Sequence, residues 1–406
     1  MSIEPGAKPS SEWVPLCVPE IRGAEWAYVK ECLDTGWVSS VGSYVERFER
    51  QLAAVVGCQY AVATVNGTAA LHIALILAGV EPGDEVVVSD LTFISPANAV
   101  RYVGAHPVFV DAESEYWQMD AGKLENFLVR NCSHGEGGLR NKATGRRIAA
   151  ILPVHILGSV CDMDPILGVA GRFGIPVVED ATEALGAKYK ARPAGSLGLM
   201  SCFSFNGNKI ITTGGGGMLV TNDARLAERA RYLTTQAKDD SIEFIHRSIG
   251  YNYRLPNVLA AIGCAQLERL DEYLKNKRAI ASAYGTKLGS TPGIVPMREP
   301  PSTSSTFWMY TVRIDAAAAG VDSRRILAAL QAAKIQARPL WQPMHLSPAH
   351  QASFATDCTV AERLNRECLS LPCSVGLSHE QQDRVFEVLA AAVRTETAIG
   401  QRPAQA

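Results

Sequence analysis

Residues 60–90 read YAVATVNGTAALHIALILAGVEPGDEVVVSD, and they contain a strand, a helix and a second strand in succession. The first six residues are apolar or β-branched, which is typical of a buried strand. Asn66 precedes a run rich in Ala and Leu, as expected of a capped helix. The turn sequence EPGD separates this helix from the next strand, EVVVSD. This stretch therefore predicts one strand–helix–strand unit.

The same alternation of strands and helical segments continues to about residue 222. Further strands are indicated by AHPVFVDA, RRIAAILPVH and IPVVEDA. The pattern predicts an α/β sheet with helices on both faces. The polar, Gly-rich segment 131–147 is interpreted as an inserted hairpin or loop. Beyond Asn257, one long amphipathic helix is expected to lead from the large domain to a smaller one.

Composition limits the function classes that need to be considered. The chain has 406 residues, of which 47% are hydrophobic and 20% charged, with a net charge of −2. This length favours two domains, and we expect them at 12–270 and 271–395, with a flexible tail at 396–406.

The net charge favours neither nucleic acid nor an anionic membrane as a partner. We expect no signal peptide and no membrane span, and hence a cytoplasmic protein. Ten cysteines without metal-ligand spacing indicate reduced thiols and no metal site.

Lys209 is the first candidate for chemistry. It lies in CFSFNGNKIITTGGGGMLVTND, between an apolar strand and a four-glycine run. Desolvation against the sheet would disfavour its ammonium form and leave a neutral amine for Schiff-base formation. Glycines would let the backbone pass close to a bulky ligand. A surface lysine in a Gly-rich loop is the alternative.

Two acidic residues follow another strand, in VVEDATEALGA. Asp180 stands at the carboxyl end of the strand, where open α/β sheets place ligand-binding groups. Its carboxylate could bind a protonated pyridine nitrogen, whereas the alternative role is a helix N-cap. Glu183 follows three residues later.

The remaining candidates follow the strands at 60–65 and 85–90. Gly67 and Thr68 begin a helix, whose free N–H groups and dipole favour phosphate; ordinary helix capping is the alternative. Phe93 could stack on a flat ring or pack in the core. Together the four segments supply a phosphate site, a stacking face, a partner for a pyridine nitrogen and a Schiff-base lysine. A chance match to all four segments is much rarer than a chance match to any one of them.

These segments, together with three others, resemble the DegT/DnrJ/EryC1/StrS sugar aminotransferases over about residues 14–389. The carrying motifs are GWVSSVGSYVERFE, NGTAALHIAL, LTFISPANAV, VVEDATEALGA, FSFNGNKIITTGGGGM, GYNYRLPNVLAAIGCAQLERLD and ARPLWQPMH. NGNKIITTGGGGM, LTTQAKDD and residues 15–45 are similar to the LegC-like branch. The resemblance implies a type I pyridoxal-phosphate fold, with a mixed seven-stranded sheet sandwiched by helices and a smaller C-terminal α/β domain.

The resemblance also implies roles at matching positions. Lys209 would form the Schiff base with pyridoxal 5'-phosphate, and Asp180 would face the pyridine nitrogen. The positions that match the other cofactor contacts are Gly67, Thr68, Phe93, Glu183, Ser204 and Asn252. Asn252 would come from the other subunit, so the resemblance implies a homodimer with shared active sites. HILGSVCDM at 155–163 departs from the common HLYGHPADM, and the role of the longer 131–147 segment is not implied.

The substrate implied is a nucleotide-linked keto sugar, with L-glutamate as the amino donor. The expected acceptor is C4 of a 2-acetamido-2,6-dideoxy-hexos-4-ulose on UDP, as in bacillosamine or legionaminic acid synthesis. The candidate substrate contacts are Trp37, Ser39, Ser40, Gly42, Arg254 and Arg338. Each arginine could instead form a surface ion pair, and His345 is expected to be solvated or packed.

Three other functions were considered. A sugar dehydratase of the same family has histidine in place of the lysine, so Lys209 disfavours it. An aminotransferase for a cyclitol or another keto substrate stays open, although the LegC-like segments disfavour it. A non-catalytic regulatory relative is disfavoured by the complete cofactor set.

Overall fold

The computed structural model describes residues 13–240 and 242–400. The helices are α1 (Glu25–Thr35), α2 (Ser43–Val56), α3 (Gly67–Leu77), α4 (Ser95–Tyr102), α5 (Ala121–Asn126), α6 (Met163–Phe173), α7 (Ala224–Thr234), α8 (Asn257–Leu267), α9 (Leu270–Leu288), α10 (Ala316–Ala319), α11 (Ser323–Ala332), α12 (Thr359–Glu367) and α13 (His379–Gly400). The strands are β1 (Tyr60–Thr64), β2 (Glu85–Ser89), β3 (His106–Val110), β4 (Cys132–Gly135), β5 (Gly138–Asn141), β6 (Ile148–Leu152), β7 (Val178–Asp180), β8 (Lys188–Tyr189), β9 (Arg192–Pro193), β10 (Met200–Ser204), β11 (Gly217–Thr221), β12 (Ile294–Pro296), β13 (Thr303–Ser304), β14 (Tyr310–Ile314), β15 (Arg338–Pro339), β16 (Phe354–Ala355) and β17 (Cys368–Leu371).

The central sheet has the strand order β1-β11-β10-β7-β6-β2-β3-β16. Its two halves join where residues 151 and 154 of the β6 segment pair in parallel with residues 177 and 180 of the β7 segment. Only β11 runs antiparallel to its neighbours. The seven strands from residues 60–221 are the mixed seven-stranded sheet that the sequence predicts. The short strand β16, from much later in the chain, pairs with β3 as an eighth.

Burial on both faces explains the sequences of the central strands and of α3. Every residue of β2 and β6 is buried, as expected of parallel strands covered by helices on both sides. Helix α3 begins where the Asn66 side chain accepts the N–H of Ala69 at 2.7 Å. The helix packs against β10 and β11 and is apolar over most of its surface. Its amino end is therefore held at the carboxyl end of β1.

A smaller sheet, ordered β12-β14-β17-β15, forms the C-terminal part with α9, α11 and α13. The single long helix predicted beyond Asn257 is wrong, because α8 ends at Leu267 and α9 starts at Leu270. Arg269 leaves helical geometry, and its guanidinium donates to the Arg22 carbonyl at 2.9 Å. The domain boundary at 270/271 remains a prediction.

The segment 131–147 contains the antiparallel hairpin β4–β5, as predicted. Helix α13 extends to Gly400, and residues 401–406 of the predicted tail lie outside the described residues. Within the described ranges, every helix is too short or too polar to span a bilayer.

Candidate active site

A cavity of about 380 Å³ opens where α3, β7 and β10 meet the C-terminal part of the chain. The sequence-predicted site residues that line it are Gly67, Thr68, Phe93, Asp180, Glu183, Ser204, Lys209 and Arg338. These residues come from five separate segments of the chain. The fold thus brings the predicted phosphate, stacking, acidic and lysine positions to one place.

Lys209 lies in the turn that follows β10, where its N–H donates to the Asn206 carbonyl at 3.0 Å. The side chain is only 15% exposed, and its Nζ is 3.7 Å from Glu183 Oε1. The same nitrogen lies 4.0 Å from the centre of the Trp308 ring. The amine is therefore inside the cavity, between a carboxylate and an aromatic face.

Asp180 is the last residue of β7 and is buried. Its carboxylate accepts the Thr182 N–H at 3.0 Å. Residues 181–187 form turns and no helix, so Asp180 does not cap a helix. Burial raises the pKa of Asp180, while the hydrogen bonds from Thr182 and the charge of Lys209 oppose this rise. A buried carboxylate at a strand end can receive a cationic ring nitrogen.

Glu183 is enclosed beside Lys209. Its Oε2 accepts the Leu157 N–H at 2.9 Å. Burial raises the pKa of Glu183 to about 7, although Lys209 and the Leu157 N–H act in the opposite direction. The carboxyl group is thus able to gain or lose a proton near neutral pH.

A buried ion pair lies behind Asp180. His155 Nε2 is 2.9 Å from Glu179 Oε2, and the His155 N–H donates to the Asp180 carbonyl at 3.0 Å. Burial alone would lower the pKa of His155, but Cys161 and Glu179 raise it above its ordinary value. Burial alone would raise the pKa of Glu179, but His155 lowers it. The loop that departs from the family pattern therefore holds the strand end that carries Asp180.

The amino end of α3 provides a site for a phosphate. Helix geometry leaves the N–H groups of Gly67 and Thr68 without intrahelical acceptors, and the helix dipole favours an anion there. A Cβ atom on Gly67 would lie 3.0 Å from Ser204 Cβ and 3.1 Å from Thr182 Cγ2. Glycine therefore lets the start of α3 pack closely against Ser204 and Thr182.

Phe93 follows β2 and is 53% exposed, with its ring at the cavity wall. Its predicted alternative role in the core is excluded by this exposure. An exposed phenyl face next to a polar cavity is suited to stacking on a planar ring.

Arg338 and Trp341 line the side of the cavity formed by the C-terminal part. The segment that carries them is held to the central sheet by His345, whose Nδ1 lies 2.8 Å from Asp90 Oδ2. The His345 N–H also donates to Asp90 Oδ1 at 2.8 Å. His345 is thus a packed residue, as expected, and Arg338 is a cation available to an anionic substrate.

The other predicted site residues lie outside this cavity within the described part of one chain. Arg254 forms an ion pair with the buried Glu49. Asn252 is exposed at the surface. The loop containing Ser39 and Ser40 adjoins a second cavity, which is lined by Trp37 and Gly42.

Trp308 lines the cavity and was not singled out from the sequence. Its ring is buried, and its Nε1 donates to the Asn208 carbonyl at 2.6 Å. It lies 100 residues beyond Asn208 in the chain, and no local motif connects the two. An aromatic residue before an apolar strand is ordinarily a core residue, so the sequence carried no signal for this contact.

The residues present fit pyridoxal phosphate. The start of α3 and Ser204 suit its phosphate, Phe93 its ring face, Asp180 its pyridine nitrogen and Lys209 its carbonyl carbon. The close packing of Gly67 on Ser204 places the start of α3 and the Ser204 side chain next to each other on the cavity lining.

Comparison with known sequences gives the same class of protein. A model of the DegT/DnrJ/EryC1/StrS aminotransferase family matches residues 19–390. The chain is 42% identical over 379 residues to a GDP-perosamine synthase of Caulobacter vibrioides, covering 93% of this chain and 97% of that one. It is 39% identical over 378 residues to EpsN of Bacillus subtilis, which is named as a pyridoxal phosphate-dependent aminotransferase, covering 92% and 94%.

Solved structures agree. The aminotransferase TlmJ from Streptoalloteichus hindustanus superimposes with a TM-score of 0.85 at 29% identity, covering 95% of this chain and all of that one. DesV of S. venezuelae superimposes with a TM-score of 0.81 at 32% identity, covering 91% and 94%. The chain therefore belongs to the DegT/DnrJ/EryC1/StrS aminotransferase family, and it is a pyridoxal-phosphate-dependent sugar aminotransferase that acts on nucleotide-linked sugars.

Proposed function

We propose that this enzyme transfers the amino group of L-glutamate to the 4-keto carbon of a nucleotide-linked 6-deoxy sugar. One observation carries the proposal: the Lys209 amine lies 3.7 Å from the Glu183 carboxylate, in the same cavity as Asp180 and the start of α3. A nucleophilic amine, a proton-exchanging carboxyl, a buried anion and a phosphate site are the groups that transamination requires.

Bound pyridoxal phosphate supplies an electron-withdrawing ring that stabilises negative charge on the carbon next to the transferred nitrogen. Asp180 holds a proton on the pyridine nitrogen, because its buried carboxylate is poorly solvated and favours a cationic partner. The N–H groups of Gly67 and Thr68 and the Ser204 hydroxyl bind the phosphate. These groups fix the ring before substrate arrives.

Lys209 Nζ carries a proton to and from the reacting substrate carbon in both half-reactions. Glu183 lies next to this nitrogen and titrates near neutral pH. Its carboxyl group is therefore placed to exchange a proton with the Lys209 amine. Arg338, at the mouth of the cavity, binds the diphosphate of the nucleotide.

Two nucleotide-linked sugars are the candidate substrates. The chain is 42%, 38% and 32% identical to three GDP-perosamine synthases, which favours a GDP-linked 4-keto-6-deoxyhexose. The second candidate is the UDP-linked 2-acetamido-2,6-dideoxy-4-hexulose inferred from the LegC-like motifs. The two differ in the base and in the group on C2, so direct competition between them separates the alternatives.

We also propose that the working unit is a homodimer in which Asn252 reaches the phosphate of the partner's cofactor. Asn252 is exposed and follows a segment with large apolar side chains on the surface: Ile242 is 82% exposed and Ile249 85%. Exposed apolar groups clustered in one segment are typical of an interface. A second copy of the chain would cover them and bring Asn252 to the other cavity.

The test is a panel of acceptors with the cofactor-loaded enzyme and L-glutamate. The acceptors are the GDP-linked 4-keto-6-deoxyhexose, the UDP-linked 2-acetamido-4-keto sugar and a keto-inositol. We expect 2-oxoglutarate and a new amino sugar, with kcat/KM for one nucleotide sugar at least about tenfold above the other, equivalent to about 1.4 kcal/mol. Turnover of the keto-inositol alone would refute the proposed substrate class. Turnover only with another amino donor would refute glutamate.

A further inference from the structure

A second lysine near the active site, Lys277, is buried without a carboxylate partner among the described residues. It lies on α9 and is only 1% exposed. Its Nζ donates to the carbonyl of Trp308 at 2.7 Å and to that of Cys373 at 2.5 Å. Among the described residues, no Asp or Glu forms an ion pair with it within 4.0 Å. Burying an ammonium group is costly even with hydrogen bonds, but Cys17 and Cys373 favour the charged form and the pKa of Lys277 is raised.

The contacts of Lys277 lead directly to Lys209. Trp308, held through its carbonyl by Lys277, donates its Nε1 proton to the carbonyl of Asn208 at 2.6 Å. Cys17 Sγ is 3.8 Å from Lys277 Nζ and donates to the same Asn208 carbonyl at 3.3 Å. Asn208 immediately precedes Lys209. Lys277 thus contacts both groups that bind the backbone next to Lys209, and one of them is Trp308, whose ring lies beside the Lys209 amine.

We infer that the Trp308 ring holds the Lys209 amine whenever the cofactor does not, and that Lys277 is the positioning residue for this ring. The inference rests on the proposed role of Lys209. In the structure the Lys209 Nζ lies 4.0 Å from the ring centre, inside the range of a cation–π contact. The Glu183 carboxylate, at 3.7 Å from the same nitrogen, completes the site for the ammonium.

This arrangement has a thermodynamic consequence. In its proposed role, Lys209 would be bonded to the cofactor in the aldehyde form and would be free when the cofactor is in its amine form. The contact with Trp308 is available to the free ammonium, so it stabilises the amine form relative to the aldehyde form. A residue that served stability alone would favour the two forms equally.

The experiment measures the equilibrium between the two cofactor forms. Purified, cofactor-loaded enzyme is brought to equilibrium at fixed ratios of L-glutamate and 2-oxoglutarate, and both forms are quantified by their absorbance. For Trp308→Leu we expect a shift of about 2- to 30-fold toward the aldehyde form, the size of one cation–π contact. Trp308→Phe keeps an aromatic face and should shift less. An unchanged ratio in Trp308→Leu with cofactor still bound would overturn the inference.

The ratio of the two cofactor forms also tests the positioning role of Lys277. Lys277→Met should shift it in the same direction as Trp308→Leu, and the double variant should shift it no further than Trp308→Leu alone. Lys277→Gln, which keeps hydrogen-bond donors, replaces Lys277→Met if that variant does not bind cofactor. Lys275→Met, an exposed position on the same helix, is the matched control and should leave the ratio unchanged. A lower melting temperature with an unchanged ratio would make Lys277 purely structural.

Borohydride reduction separates this inference from the assignment of Lys209. Reduction fixes the cofactor on the lysine that carries it, and peptide mapping identifies that residue. Cofactor found on another lysine would refute the proposed role of Lys209. Cofactor found on Lys209, together with unchanged ratios in the variants, would refute only the roles of Trp308 and Lys277.

Discussion

Glu183 and Lys209 form a close pair in which the carboxylate Oε1 lies 3.7 Å from Nζ, and both side chains are largely enclosed. Burial raises the pKa of Glu183 to about 7, well above that of a free glutamate. The Leu157 N–H binds the other carboxylate oxygen and fixes its direction. The Glu183 carboxyl can therefore gain or lose a proton near neutral pH while it lies next to the Lys209 amine.

The raised pKa of Glu183 predicts a pH-dependent cost in stability. The folded chain retains this proton up to about pH 7, whereas an unfolded glutamate loses it near pH 4.5. Stability from this group is therefore present at low pH and lost as the pH rises through this window. In the cofactor-free protein, Glu183→Gln should gain about 2 kcal/mol over wild type between pH 5 and pH 8. Urea denaturation at both pH values measures this gain. The exposed Glu228→Gln should show none, and a gain that did not grow with pH would contradict the assignment.

Lys209→Ala should abolish both the visible absorbance of the lysine-linked cofactor and turnover, because no other amine occupies this position. Lys275→Ala, exposed on α9, should keep both. Absorbance spectra and 2-oxoglutarate release measure the two properties. A Lys209→Ala enzyme that still linked the cofactor and turned over normally would disprove the role of Lys209.

Asp180→Asn should remove the negative charge while keeping an oxygen that can accept the Thr182 N–H. Turnover is expected to fall about 10²- to 10³-fold, a typical loss for one preorganised electrostatic group. Because burial already disfavours the Asp180 charge, the melting temperature should change little. A large loss of stability with near-normal turnover would instead indicate a structural role.

Gly67→Ala should weaken cofactor binding. The added methyl would lie 3.0 Å from Ser204 Cβ and 3.1 Å from Thr182 Cγ2, so the phosphate site must shift. We expect the cofactor Kd to rise about tenfold or more, consistent with an overpacking cost of about 1–3 kcal/mol. Gly168→Ala on α6, where a Cβ meets nothing within 4 Å, is the control and should bind cofactor normally. Equal affinity in both variants would argue against a phosphate at Gly67.

The shared-site proposal is tested by mixing two inactive variants, Lys209→Ala and Asn252→Ala. If Asn252 serves the partner's site, one site of each hybrid carries both defects and the other carries neither. Activity should return to at most about half that of a wild-type dimer, because C2 symmetry gives two equivalent sites. Differently tagged chains verify that subunits have exchanged. Verified hybrids without activity would show that Asn252 does not act across the interface.

Local sequence signals account for most of the fold. Strands in a buried parallel sheet are apolar runs, and Asn66 marks the start of α3 by a contact within its own turn. The break between α8 and α9 could not be predicted in this way. Leu267 and Leu270 continue the apolar pattern across it, and Arg269 departs from the helix through a contact with Arg22, 247 residues away in the chain.

The same difference between local signals and contacts with distant parts of the chain decides which residues of the candidate site could be predicted. The positions of Lys209, Asp180 and Gly67 could be predicted because each lies at the end of a strand or within five residues of it, in a local motif. Lys277 could not, since a lysine in an amphipathic helix ordinarily faces water, and its burial depends on carbonyl groups from two later segments. The segment 236–248 is mostly polar in sequence, yet Ile242 is 82% exposed there.

The pairing of β16 with β3 affects how the chain folds during synthesis. The edge of β3 is completed only by Phe354 and Ala355, which leave the ribosome long after the rest of the sheet. Until then β3 presents unpaired backbone groups that can template a strand from a neighbouring nascent chain. Truncation or translational stalling before residue 354 would therefore leave a nearly complete large domain with an open, aggregation-prone edge.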